Sequence, residues 1–112
     1  MKEDPASTVL RTVPREKAFY FFTSFGNYTG ESAASLKEFL GRIDDVNPKS
    51  LEFHLSRGDF EKWIAEVLQD DELASEFKRL QRFSLSGDAL RNELILTVSK
   101  RMQILVGQSG PI

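Results

Sequence analysis

"SLEFHLSRGDFEKWIAEVL", Ser50–Leu68, holds the chain's single histidine and single tryptophan, on either side of an Arg-Gly-Asp. How this stretch is read decides the fold class. As a strand, it puts Leu51, Phe53 and Leu55 on one face, and His54 points away with Glu52. As a helix, it puts Leu51, His54 and Leu55 on one stripe, and His54 looks inward. The preceding Asn47-Pro48 favours the helix over the strand. Asparagine caps helix starts, and proline at the first helical position has no N–H to leave unpaired. Gly58 can supply the positive φ that ends a helix, and Asp59 is expected to cap the next one. There, Phe60, Trp63, Ile64, Val67 and Leu68 recur at i, i+3, i+4, i+7 and i+8, the spacing of an amphipathic helix. The stretch reads as a helix, a turn and a helix.

The helical period continues on both sides. Downstream, Asp70 caps a helix whose inner face is Leu73, Ala74, Phe77 and Leu80. Asp71 and Glu72 sit at the positive end of its dipole. After "SLSGD", Ser86 is expected to cap a final helix to about Val106. Its stripe is Leu90, Leu94, Val98, Met102 and Leu105, widened by Ile95, Leu96, Ile104 and Val106. Upstream, Ala33, Leu36, Leu40 and Ile43 predict a helix from Glu31, capped by Thr29 or Ser32 and carrying a Glu38–Arg42 pair. "AFYFFTSF", Ala18–Phe25, is aromatic and uncharged. It reads as an extended segment or short strand over the core, ended by the turn signal "GNYTG". The resulting expectation is an all-α domain: about five helices in a compact array, with the aromatic segment packed on it. Residues 1–17 read as a flexible arm, 18–106 as the single helical domain and 107–112 as a flexible tail.

Composition narrows the function. The 112 residues suffice for one domain, and 40% apolar content with nine Phe can fill one core. The absence of cysteine excludes disulfides and thiolate metal sites. No apolar run approaches the ~20 residues of a membrane span, and the polar start with Pro5 and Pro14 is not a signal peptide. A cytoplasmic protein is the expectation. The net charge is −2 with both signs interleaved, so no basic patch favours nucleic acid. A helix-turn-helix reader is disfavoured further, because "DFEKWIAEVLQDD" would present Asp59, Glu61, Glu66, Asp70 and Asp71 to phosphate.

The candidate ligand-binding residues are His54, Arg57, Asp59 and Trp63. A histidine can serve as base or metal ligand, but one histidine without converging partners makes no metal site. A hydrogen-bonded residue at the core edge explains it as well. Arg57-Gly58-Asp59 reads as a helix end and a cap rather than an adhesion motif, and Trp63 as a core residue on its stripe. The acidic run Asp70–Glu72 lacks the alternate ligand spacing of a calcium loop. No phosphate loop or nucleophile elbow is present. The expectation is therefore no catalytic residue, no metal and no cofactor.

"ESAASLKEFLGRIDDV", "SLEFHLSRGDFEKWI" and "VLQDDELASEF" together resemble an uncharacterised family of small prokaryotic helical domains, a domain of unknown function. The resemblance covers about Phe19 to Leu80. It rests on Ala34 and Leu36, on His54, on an Asp-Phe-x-x-Trp-Ile at Asp59, Phe60, Trp63 and Ile64, and on an Asp-x-x-Leu-Ala at Asp70, Leu73 and Ala74. It implies no established activity. Members beside, or joined to, carbohydrate-related enzymes imply at most an accessory role. The pairing of the histidine with the tryptophan motif implies that His54 and Trp63 meet across the turn.

The function expected is a non-enzymatic interaction or accessory module acting through an apolar surface. Two segments carry more apolar surface than a small monomer easily hides, namely "AFYFFTSF" and the final helix. Unless they cover each other, self-association through the C-terminal helix is expected. The alternative is a small-molecule-binding protein or enzyme with a pocket around His54, Arg57 and Trp63, and a nucleic-acid binder ranks third.

Overall fold

The computed structural model describes residues 5–109. The helix–turn–helix reading of Ser50–Leu68 holds. Helix α3 is Pro48–Arg57, with the Asn47 side chain accepting from Lys49 N–H and Pro48 in the first turn. Gly58 closes it in the left-handed region at φ 79°, and α4 follows as Asp59–Trp63. The backbone then continues as a π-helical turn, Ile64–Leu68, ended by Gln69 at φ 66°. Helix α5 is Asp71–Leu80, capped as expected by Asp70, and α6 is Gly87–Ser109.

The domain is mostly helical but not all-α. Strands β1 (Phe19–Ser24) and β2 (Asn27–Ala33) form an antiparallel hairpin. The turn lies at Phe25-Gly26, so Asn27–Gly30, expected as turn, is strand. Gly30, at φ 87°, sits where the register slips. There the Thr29 hydroxyl donates to the Phe21 carbonyl at 2.8 Å. Helix α2 (Leu36–Asp45) consequently starts later than expected. Its cap is Ser35, not Thr29 or Ser32; Ser35 accepts from Glu38 N–H, and Glu38 reaches back to Ala34 N–H. Arg42 pairs with Glu31 at 3.1 Å rather than with Glu38.

Six α-helices are described rather than about five, because residues 1–17 hold one. Helix α1 is Pro5–Leu10, with Ala6 and Val9 buried, and Val13 is buried after it. Proline at the start has its φ already set for helix. Arg11 fastens the end of α1 by donating to the carbonyl of Val67 at 2.7 Å. Of the expected tail, 107–109 belong to α6, and 110–112 lie outside the described residues.

The 23-residue α6 is the spine, packed against α1, α2, α3 and α5. Its inner stripe is Leu90, Leu94, Val98 and Leu105, all buried. The hairpin packs instead on α3 and α2. Helices α2 and α3 thus pack against both apolar segments. Phe19, Phe21, Phe39, Phe60, Trp63 and Phe77 form the aromatic half of the core, ring to ring at 4.9–6.1 Å.

Candidate functional site

Three of the four candidate side chains converge where the hairpin crosses α3. The helical reading puts His54 on the inner face of α3, only 4% exposed, beneath β1. Its ring lies 4.8 Å from Phe19 and 5.5 Å from Phe60. Nε2 accepts from the Phe22 backbone N–H at 2.8 Å. That leaves the ring proton on Nδ1, which donates to Asp59 Oδ2 at 2.8 Å. Both nitrogens are committed and the tautomer is fixed.

Burial lowers the His54 pKa below its ordinary 6.5, and the hydrogen bond and charge of Asp59 only partly oppose this. Protonating Nε2 would also set a second N–H against that of Phe22. The ring is held neutral.

Asp59 does not cap α4, because the cap position is Gly58 and Asp59 is the first helical residue. The same Oδ2 also accepts from Arg57 Nε at 3.0 Å. Arg57 is half exposed, and its guanidinium lies 4.5 Å from the Phe25 ring centre and 5.1 Å from that of Phe53. Phe53 precedes it by one helical turn. Together these groups line a hollow of about 340 Å³, walled by Tyr20, Phe22 and Phe25 of the hairpin and by Phe53, His54 and Arg57 of α3.

Trp63 does not join them. It is 7% exposed in the core, and its Nε1–H donates to the Lys17 carbonyl at 2.8 Å. His54 and Trp63 meet through Phe19, whose ring lies 4.8 Å from one and 5.7 Å from the other, rather than face to face. Sequence reasoning missed Phe25 and Phe53. The Phe53–Arg57 i, i+4 spacing on α3 signals a helical neighbour pair, whereas nothing local places Phe25 of the turn over Arg57.

Chemically, the hollow offers apolar walls and the Arg57–Asp59 ion pair. The two nitrogens that a base or a metal ligand would need are already engaged. Among the described residues no cluster of three or more His, Asp or Glu side chains is placed to hold a metal ion.

A second hollow, about 300 Å³, runs between α5 and α6 beside Leu73, Leu96 and Ile104. At one end Asp70, buried at 2% side-chain exposure, holds Arg101 through two hydrogen bonds of 2.8 and 3.0 Å. The carboxylate pair raises the already high pKa of Arg101 further. Thirty-one positions separate the two residues, so no local pattern announces the contact. Among the described residues no helix is long and apolar enough to cross a membrane.

The profile of a family of unknown function (DUF5752) matches residues 15–108. The chain belongs to that family. No curated protein and no solved structure shows significant similarity to it. The matched DUF5752 region takes in the hairpin, α2 to α5 and nearly all of α6, so both hollows lie within the family domain.

Proposed function

We propose that this DUF5752 domain is a non-catalytic interaction module that self-associates through the solvent side of α6. The observation that carries the reading is the exposure of Leu96 and Ile104, 47% and 50%, on a helix whose opposite stripe already fills the core. Phe83, after α5, adds a ring at 52% exposure on the same side of the domain, beside Glu93 of α6. Large apolar side chains gathered beside a groove are a feature that soluble monomers keep small, and a two-fold pair is the commonest way to cover them. The committed nitrogens of His54 support the non-catalytic half of the reading. Sedimentation equilibrium of the full chain at micromolar concentration tests it. The expected mass is twice 12.7 kDa, and a mass of one chain throughout the range would refute it.

A second reading rests on the hairpin hollow. The Nη groups of Arg57 have no hydrogen-bond partner among the described residues and border an aromatic cleft. That arrangement suits a small apolar ligand with an anionic end. Titration with aromatic carboxylates, followed by NMR, decides it. Shifts confined to Phe25, Phe53 and Arg57 would favour this site, and an unmoved spectrum would dismiss it.

A further inference from the structure

The self-association proposed above leaves open how two copies meet, and the charges on α6 specify it. Along the solvent side of α6 run Ala89, Glu93, Leu96, Thr97, Lys100 and Ile104, each exposed or half-buried. Most charges around the α5–α6 hollow are paired within the chain: Glu76 with Arg79, and Glu72 and Asp70 with Arg101. Glu93 and Lys100 are not; neither has an ion-pair partner among the described residues. They lie seven positions apart, about 10 Å along the axis, too far to meet each other on one helix.

We infer that α6 pairs antiparallel with α6 of a second copy, about a two-fold axis crossing the helix between Leu96 and Thr97. This inference rests on the self-association reading. In an antiparallel pair, residues equally far from the axis on opposite sides face each other. This axis sets Glu93 against Lys100 of the partner subunit, and Lys100 against Glu93 of the partner subunit. At the centre, Leu96 faces Thr97 of the partner subunit, and Thr97 faces Leu96 of the partner subunit. Ile104 reaches Ala89 of the partner subunit, where the small side chain leaves room for it. One axis therefore satisfies both unpaired charges and covers Leu96 and Ile104.

The neighbouring register is worse. An axis through Lys100 would bring Leu96 onto Ile104 of the partner subunit, but would place the two Lys100 ammonium groups against each other. Like charges held together at an interface penalise that register. The charge pattern selects the first.

The test is charge reversal in the full chain, read by sedimentation equilibrium, with circular dichroism as a check on folding. All substitutions are at solvent-facing positions. Glu93→Lys and Lys100→Glu should each weaken the dimer by about tenfold in Kd, since each turns two attractions into two repulsions. The double variant Glu93→Lys/Lys100→Glu restores both pairs with their signs exchanged and should return Kd to within about threefold of wild type. A wild-type dimer with single variants unchanged, or a double variant no better than the singles, overturns this register while leaving self-association intact. A wild-type monomer at every concentration overturns the self-association reading itself.

Discussion

Replacing His54 by leucine separates a structural histidine from a chemical one. Leucine keeps most of the volume and removes both hydrogen bonds. The larger loss is at Phe22, whose backbone N–H, now paired with Nε2 at 2.8 Å, would face a methyl group. Leaving a buried donor unpaired costs about 1–3 kcal/mol. Asp59 loses less, because it keeps Arg57 and is exposed enough, at 29%, to rehydrate. We expect His54→Leu to cost about 2 kcal/mol above pH 6.5. His54→Gln should cost about 1 kcal/mol or less, since its amide oxygen can accept from Phe22. The pH dependence follows from the lowered pKa. Well above 6.5 both folded and unfolded histidine are neutral, and the full contribution is present. As pH falls below 6.5, the unfolded chain takes up a proton that the folded chain resists, and wild type loses stability. Leucine does not titrate, so the gap between the two proteins should narrow on acidification. Urea unfolding at several pH values measures both quantities. A leucine variant within about 0.5 kcal/mol of wild type at high pH, or a gap that widens in acid, would refute the assignment.

Trp63→Ala should cost about 3–5 kcal/mol in the same assay, because the ring is buried among Phe19 and Phe39 and its N–H holds the Lys17 carbonyl; an unchanged melting temperature would refute its place in the core. Arg101→Ala should cost about 3–5 kcal/mol by leaving Asp70 buried and unpaired, whereas Arg79→Ala, whose partner Glu76 is half exposed, should cost under about 1 kcal/mol; equal losses in the two variants would refute the difference in burial.

The features legible in the sequence were those whose cause is local. Asn47-Pro48 and Asp70 each start a helix within a few bonds of their own backbone, and both helices begin where those residues place them. The inner stripe of α6 follows from periodicity alone. Strand β2 was hidden because Asn27, Gly30 and Thr29 have turn composition, while the chain uses Gly30 and Thr29 for a slip of register inside the ladder. Its polar residues give no alternation, since only Ala33 is buried. The site divided in the same way. Arg57 and Asp59 are close in sequence to His54, and the structure brings the three together. Trp63 shares their motif but is drawn by its stripe into the core, and the acceptor of its N–H lies 46 positions away.

A two-stranded ribbon is marginal by itself, and this one is held by side chains that stand among the candidate ligand-binding residues of the sequence. His54 receives the N–H of Phe22, so part of the outer edge of β1 is capped by α3 rather than left to pair with another chain. Trp63 holds the carbonyl of Lys17, just before β1 begins. Thr29 closes the bulge from within. The histidine and tryptophan thus anchor the same strand from α3 and α4, with Phe19 of that strand packed between them. Helix α4 has Gly58 at its cap position and no side-chain cap, which frees the Asp59 carboxylate for His54 and Arg57. A glycine cap costs only about a few tenths of a kcal/mol relative to a capping side chain, whereas a His54 ring without a partner for Nδ1 would bury a polar atom at a cost of about 1–3 kcal/mol. The Arg-Gly-Asp at the turn is accordingly the joint between two helices and the clip that holds a hairpin against them.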